Sequence, residues 1–455
     1  MAAVGVARLA GGSQAQRVVV VGGGLAGREA AWQAARRGME VTLYEMKPVR
    51  FSPAHQSEGF AELVCSNSLR SNIQVNAVGL LKEEMRRLGS LVMEAADESA
   101  VPAGRALAVD REAFSRRISD SIESHPRIEI RREVVERIPA DGRVILATGP
   151  LTACELARDL QQLLGDEHLY FYDAQAPILY ADSIDHEIVF RASRYDEGEG
   201  DYLNVPLSED EYFDFVGGLL AAETVPLHAF EAKLYFEGCL PIEEMPRRGE
   251  KTLAFGPLKP VGLIDPRTGR RPYAVVQLRQ EDKRGTLYNL VGCQTKLRIG
   301  EQQRLFRSLP GLSEAVFARY GSVHRNTYVN APKQLQRNLE VRRRPGLYLA
   351  GQMAGVEGYV ESAALGFIAA LNVVFESRGQ APMLPDAATA HGALIHYLSD
   401  ADPRDFQPMN VNFGLFPPLE AESRRIRRRE KAEKLAARAL DVLAPYQHAT
   451  AELLE

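Results

Sequence analysis

Residues 17–45, RVVVVGGGLAGREAAWQAARRGMEVTLYE, contain the pattern that specifies the fold class of this chain. A short β-branched run, Arg17–Val21, meets a glycine-rich turn, and an alanine-rich stretch of helical character follows as far as Arg37. A second apolar run over residues 40–44 completes a strand–helix–strand unit. Such a unit joins two parallel strands, so it predicts an α/β fold with a domain of Rossmann type.

The turn has the glycine spacing of a dinucleotide-binding site. Its first glycine permits a tight turn, the second lets the backbone approach a pyrophosphate, and the third allows the helix to pack closely on the strand. Glu45 ends the second strand, where a carboxylate can accept a hydrogen bond from a ribose hydroxyl. A glycine motif alone is weak evidence for a dinucleotide site, because glycines also occur simply where strands end. Here, however, the strand, the glycine turn, the helix and the acidic residue at the end of the second strand follow one another in the expected order. The predicted contacts to an adenine dinucleotide are Gly22, Gly23, Gly24, Leu25, Ala26, Gly27 and Glu45.

Two later apolar runs favour FAD over NAD as that dinucleotide. Residues 143–147 and 346–350 each end in a glycine turn, as in flavoproteins whose late strands close over the flavin. We therefore expect Gly351, Gln352 and Gly355 to contact the cofactor. A second GxGxxG motif after a strand is absent from the sequence, so a nicotinamide donor would have to bind without a domain of its own.

Length and composition favour two domains. A chain of 455 residues that is 45% hydrophobic can bury more than one core. We expect a leader at 1–16, a discontinuous FAD-binding domain at 17–175 and 325–455, and a mixed α+β insertion at 176–324, where aromatic residues and β-branched alternation predominate. The sequence lacks an obvious membrane-spanning run or secretory signal, which indicates a cytoplasmic protein without a membrane partner.

The four cysteines are widely separated, without a CxxC pair or zinc-site spacing, which indicates free thiols and no metal site. Two of them lie in motifs, VCSNSLRS at residues 64–71 and FEGCLPIE at 236–243. With FQPMNVNFG at 406–414, these motifs resemble the TrmFO family of folate- and FAD-dependent tRNA (uracil-5-)-methyltransferases. The resemblance runs from about Arg17 to the basic C-terminal region. Related flavoproteins that modify the tRNA wobble uridine share the dinucleotide site, so the two cysteine segments distinguish the families.

The resemblance implies a reaction. Methylenetetrahydrofolate would supply a one-carbon unit, reduced FAD would supply reducing equivalents and carry the carbon, NAD(P)H would be the reductant, and the T-loop uridine of tRNA would become 5-methyluridine.

The residue chemistry agrees with that reaction, because a thiolate suits reversible addition to uracil C6, which activates C5. Cys239 is the candidate nucleophile, although its acidic neighbours require a compensating cation. Cys65 is expected near the flavin, as a protecting or acid/base group, and which thiol has which role is left open. Cys154 and Cys293 lie outside the motifs, and we expect both to be buried, structural residues.

A basic run at residues 424–438 has eight Lys/Arg against two Glu. Arg427, Arg428 and Arg429 are candidate tRNA-phosphate contacts, although such a helix is often only a solvated face. Residues 342–344 form a second basic candidate. Two rival functions remain open, a small-molecule FAD oxidoreductase and a non-catalytic tRNA-binding protein. The sequence leaves the oligomeric state and the choice between NADH and NADPH undetermined.

Overall fold

The computed structural model describes residues 16–140, 142–165, 169–194, 200–225, 240–419 and 427–454. The strands are β1 (Arg17–Val21), β2 (Glu40–Glu45), β3 (Ser68–Ser71), β4 (Ala100–Val101), β5 (Ala106–Val109), β6 (Ile128–Arg132), β7 (Arg143–Leu146), β8 (Leu169–Ala174), β9 (Ile178–Tyr180), β10 (Phe190–Ala192), β11 (Tyr202–Leu207), β12 (Ala274–Gln280), β13 (Leu287–Leu290), β14 (Phe317–Arg319), β15 (Val323–Tyr328) and β16 (Leu347–Leu349). The helices are α1 (Leu25–Ala35), α2 (Ala77–Arg87), α3 (Leu91–Glu98), α4 (Arg111–Glu123), α5 (Cys154–Leu164), α6 (Glu209–Ala221), α7 (Thr252–Phe255), α8 (Ile299–Arg307), α9 (Ala331–Gln334), α10 (Tyr359–Ser377), α11 (Ala390–Asp400), α12 (Arg428–Val442) and α13 (Ala444–Ala451).

The first sheet is parallel throughout and has the order β16-β7-β1-β2-β6. Its central strands are apolar because helices cover the sheet, as parallel sheets require. The α/β fold with a Rossmann-type parallel sheet is thereby confirmed. The two late apolar runs form β7 and β16, which pair beside β1 although about 200 residues separate them in the chain.

Helix α10 packs against α1, and both are almost entirely buried. Within the described ranges, α10 is the one helix long and apolar enough to cross a membrane, at a mean hydropathy of 1.4. The sequence analysis did not identify this segment as a long apolar run. Because 83% of its apolar window is buried in the protein, α10 is a core helix here.

A second, antiparallel sheet has the order β10-β11-β12-β13-β9-β14. Helices α6 and α8 cover one face of it, and a separate hydrophobic core forms there from residues 179–315. The first core is formed by residues within 18–164 and 328–453, so it is discontinuous in the sequence. The exact domain limits stay a prediction.

Candidate active site

A cleft with about 1150 Å³ of empty space, part of it open solvent, lies where β1, β2, β7 and β16 end. The carboxyl ends of parallel strands are where ligands bind in open α/β sheets. Its lining residues come from four neighbouring strand ends and from α1, α5 and α10. They are residues 21–26, 44–47, 133–135, 147–153, His55, Glu62, Val64, Leu156, Gly351, Gln352, Tyr359 and Ser362.

The glycine turn is shaped for an anion. Gly22 has a φ of +109°, and a Cβ there would lie 2.5 Å from the Ala147 carbonyl oxygen. A Cβ on Gly27 would overlap the Gly22 carbonyl oxygen, so this glycine permits the close approach of α1 to β1. No side chain caps the start of α1 at Gly24, which leaves its first N–H groups available to a phosphate. The turn therefore fits a dinucleotide pyrophosphate.

Glu45 lines the same cleft and is 5% exposed. Its Oε1 accepts a hydrogen bond from the Lys47 backbone N–H at 2.9 Å, which fixes the carboxylate at the strand end. The Lys47 ammonium lies 3.6 Å from Glu62 Oε2 and donates to the Gly59 carbonyl. Burial lowers the pKa of Lys47, and the nearby charge of Glu45 opposes this. A carboxylate held at this strand end fits the expected ribose contact.

The late turn after β16 reaches the cleft through Gly351 and Gln352. Gln352 Nε2 donates to Glu357 Oε2 at 2.6 Å, so the amide is held in place. The remaining predicted contacts, Gly27 and Gly355, do not line the cleft. Gly355 has a φ of +97°, and a Cβ there would overlap the Phe406 ring, which gives this glycine a packing reason.

Cys65 lies at the edge of the cleft against Tyr359, the first residue of α10. The Cys65 Sγ is 2.8 Å from the Tyr359 hydroxyl oxygen, which also accepts the Cys65 backbone N–H at 2.8 Å. Burial and the neighbouring thiol raise the pKa of Tyr359 well above its ordinary value. Tyr359 and Val64 line the cleft, so the structure brings this thiol beside the candidate cofactor site.

Cationic residues surround this thiol–phenol pair. Arg111 donates from Nε to Glu281 Oε2 at 2.5 Å, and its charge acts on both Cys65 and Tyr359. Arg319 also interacts electrostatically with Cys65 and Tyr359. Its buried Nε and Nη2 atoms have no hydrogen-bond partner in the described part of the chain. Burial and the charge of Arg111 lower the pKa of Arg319. The site thus presents positive charge toward a thiolate, phenolate or anionic substrate group.

Cys239 falls outside the described residues, and the structure begins again at Leu240. The two glutamates that follow are held by the segment after β13. Glu243 is fully buried and accepts hydrogen bonds from the Thr295 hydroxyl and the Lys296 N–H, both at 2.8 Å. Glu244 Oε1 lies 2.5 Å from Lys296 Nζ. Lys296 therefore supplies a cation next to the acidic neighbours of Cys239.

The other cysteines differ from each other. Cys293 is buried, as expected, and burial strongly raises the pKa of its thiol. Cys154 is exposed at the start of α5, so the expectation that it is buried is wrong. At an exposed position at the start of a helix, few apolar side chains lie near enough for burial of the cysteine to be favourable.

Arg427, Arg428 and Arg429 lie at the start of α12 and are exposed. Arg429 pairs with Glu433 at 2.9 Å, while α12 packs against α2 and contributes nothing to the cleft lining. Contact between this helix and RNA therefore stays a prediction.

Sequence reasoning missed several residues of the site. Thr148 and Gly149 follow β7, and that strand–glycine pattern was visible in the sequence, yet neither was named as a contact. Tyr359, Arg111 and Arg319 carry no local motif, so only the packing of distant segments could reveal them.

The family model of glucose inhibited division protein A matches residues 17–381. A methylenetetrahydrofolate–tRNA-(uracil-5-)-methyltransferase TrmFO of Moorella thermoacetica is 57% identical over 94% of this chain and 97% of the relative. The TrmFO protein of Desulforudis audaxviator is 58% identical over 94% and 98%, respectively. The solved structure of Aquifex aeolicus GidA shares the fold at a TM-score of 0.67 and 18% identity, over 94% of this chain and 76% of that one. The chain belongs to the glucose inhibited division protein A family and, by its identity to these relatives, to TrmFO.

Proposed function

We propose that this chain methylates a tRNA uracil at C5 with methylenetetrahydrofolate as the carbon donor, and that the target is the T-loop uridine. The observation that carries the proposal is the combination of 57–58% identity to proteins named for this reaction with a thiol at the edge of a dinucleotide cleft. FAD, when bound in that cleft, supplies the reducing equivalents, for which NAD(P)H is the expected donor. The expected setting is the cytoplasm, where the tRNA substrate is made.

The chemistry balances as follows. The Cys239 thiolate adds to uracil C6 and makes C5 nucleophilic. C5 then bonds to the folate methylene carbon and loses its proton, and the bond between that carbon and the folate nitrogen breaks with release of tetrahydrofolate. Two electrons and one proton, a hydride equivalent that reduced FAD would supply, complete the methyl group. Loss of the thiolate from C6 restores the ring. Cys65 and Tyr359 would hold or move a proton beside the flavin, since their side chains are 2.8 Å apart at the edge of the cleft.

The test is transfer of label from [¹⁴C]methylenetetrahydrofolate to an unmodified tRNA transcript, with FAD and NAD(P)H present. We expect label in the wild-type transcript and none when the T-loop uridine is replaced by cytidine. Label retained in the cytidine transcript would contradict the T-loop assignment. A wild-type enzyme that oxidises NAD(P)H without labelling any tRNA would favour a small-molecule oxidoreductase instead.

Thiol roles are tested with Cys65→Ala and Cys239→Ala, and Cys154→Ala is the matched control because this cysteine is exposed and outside the motifs. Both motif variants should lose methylation while the control retains it. Full activity in Cys239→Ala would rule out its role as nucleophile. The 57–58% identity to proteins named for uracil-5 methylation favours this reaction over the wobble-modifying alternative.

A further inference from the structure

The segment of residues 247–271 forms an exposed basic surface in an otherwise acidic protein. It contains seven Lys/Arg and two acidic residues, whereas the whole chain has a formal net charge of −5. Of these cations, Lys251, Arg270 and Arg271 are exposed and form no ion pair with any residue that the structure describes. Arg267, by contrast, is paired with Asp265 at 2.7 Å. The three unpaired cations remain available to an external anion.

Large apolar side chains protrude from the same segment. Phe255, at the end of α7, is 83% exposed, and Ile264 and Val261 are 57% and 41% exposed. A single exposed apolar residue is ordinary in a soluble protein. Phe255 lies four residues from the unpaired Lys251. An exposed aromatic ring beside cationic side chains is how single-stranded nucleic acid is bound, since the ring stacks on a base and the cations bind phosphates.

The fold connects this segment to the candidate active site. Leu263 packs against Val275 of β12, and side chains alternate along a strand, so Val275 and Arg279 lie on the same face of the sheet. Arg279 donates from Nη2 to Ser66 Oγ at 2.7 Å, next to Cys65. Four residues of a strand span about 13 Å. Leu263 therefore lies on the face of the second sheet that meets the Cys65 segment, whereas Leu253 and Leu258 pack into the core on the opposite face, so the basic segment contributes to both faces.

We infer that residues 247–271 are a docking surface for RNA, in which Lys251, Arg270 and Arg271 contact phosphates and Phe255 stacks on an unpaired base. This inference rests on the proposed function, because it names where the tRNA of that reaction is held. On helix α12, Arg429 and Lys434 pair with Glu433 and Glu430 along the helix, and Arg438 donates to the carbonyls of Pro417 and Pro418. Arg427, Arg428 and Lys431 are exposed and form no ion pair with any residue that the structure describes, so α12 stays a second basic surface, without an exposed aromatic residue beside it.

The experiment measures the Kd of full-length protein for an unmodified tRNA transcript across a salt series. In Arg270→Glu/Arg271→Glu, we expect the Kd to rise about tenfold or more and the slope of log K against log salt to become shallower by roughly 1.5. The matched control is Arg116→Glu/Arg158→Glu, which makes the same change in net charge at exposed arginines of α4 and α5. We expect less than about a twofold change in the control.

Phe255→Ala gives a second, independent measurement. It should weaken binding about tenfold without changing the salt slope, and Phe255→Trp should preserve binding, because stacking involves no counterion release. An equal Kd for the Arg270/Arg271 variant and the control, together with unchanged binding in Phe255→Ala, would overturn the inference. If wild-type protein transfers no label to tRNA, the proposed function fails. Labelling by wild-type protein with unchanged binding in these variants refutes only the docking surface.

Discussion

At the scale of single residues, the Tyr359 hydroxyl has the most specific position in the cleft. It touches the Cys65 thiol and accepts that residue's N–H, so the hydroxyl fixes both the thiol and its backbone. In Tyr359→Phe we expect methylation to fall about tenfold or more, because a positioned proton donor or acceptor is lost. Methyl-transfer rates and FAD absorbance check this.

The control is Tyr44→Phe, which removes a hydroxyl from another tyrosine of the cleft lining. We expect FAD binding to persist in both variants and activity to persist in the control. Equal loss of activity in the two would show that any cleft hydroxyl matters and that Tyr359 has no special part.

Lys82 makes stability depend on pH. Its side chain is fully buried and donates from Nζ to the Ser71 carbonyl at 2.6 Å, and burial lowers the pKa of this lysine to about 7. Between pH 7 and the ordinary lysine pKa near 10.4, the unfolded chain binds a proton that the folded chain does not. Stability should therefore rise with pH over this range, by at most about 1.4 kcal/mol per unit.

Lys82→Met should remove this contribution, because methionine fills a similar volume without charge. Urea denaturation of both proteins at pH 7, 8 and 9 provides the comparison. Parallel pH profiles for wild type and variant would contradict the assignment.

At the scale of elements, Gly24 and Gly27 at the junction of β1 and α1 have different functions. A Cβ on Gly24 meets nothing within 4 Å, whereas a Cβ on Gly27 overlaps the Gly22 carbonyl oxygen. Gly24→Ala should keep the fold and weaken FAD binding, because the added methyl group lies where the pyrophosphate approaches. Gly27→Ala should lower the melting temperature of the apoprotein, because α1 must move away from β1.

Thermal melts of apoprotein and FAD titration distinguish the two effects. A Gly24→Ala protein that melts as low as Gly27→Ala would show that both glycines serve packing alone. The sequence motif predicted both positions but could not separate their roles, since the separation depends on which backbone atoms lie opposite each Cα.

At the scale of the whole molecule, Asn67 joins the second sheet to a three-stranded sheet of order β3-β5-β4, whose Leu69 and Val109 pack in the first core. It is fully buried, and its Nδ2 donates to the carbonyls of Val109 and Gln280, while its Oδ1 accepts from Arg279 Nε at 2.8 Å. Asn67→Ala removes all three bonds and leaves buried polar groups without these partners. We expect destabilisation of about 2 kcal/mol or more.

The measurement is the midpoint of urea denaturation, and Asn72→Ala is the control because Asn72 is exposed. A midpoint that shifts no more in Asn67→Ala than in Asn72→Ala would show that the sheets are held together elsewhere. Loss of methylation without loss of stability would instead place Asn67 in the catalytic arrangement.

The sequence by itself determined the parallel sheet, the glycine turn and the strand-end carboxylate Glu45. Each of these follows from spacing over a few residues, where local backbone sterics and hydrogen bonding dominate. It did not determine that Cys65 would meet Tyr359, 294 positions away, or that Arg279 of the second sheet would reach Ser66. Those contacts depend on how two cores pack, and many arginines and tyrosines in the chain have the same local character. Only the tertiary structure selected these among them, because long-range packing decides which distant side chains share one buried space.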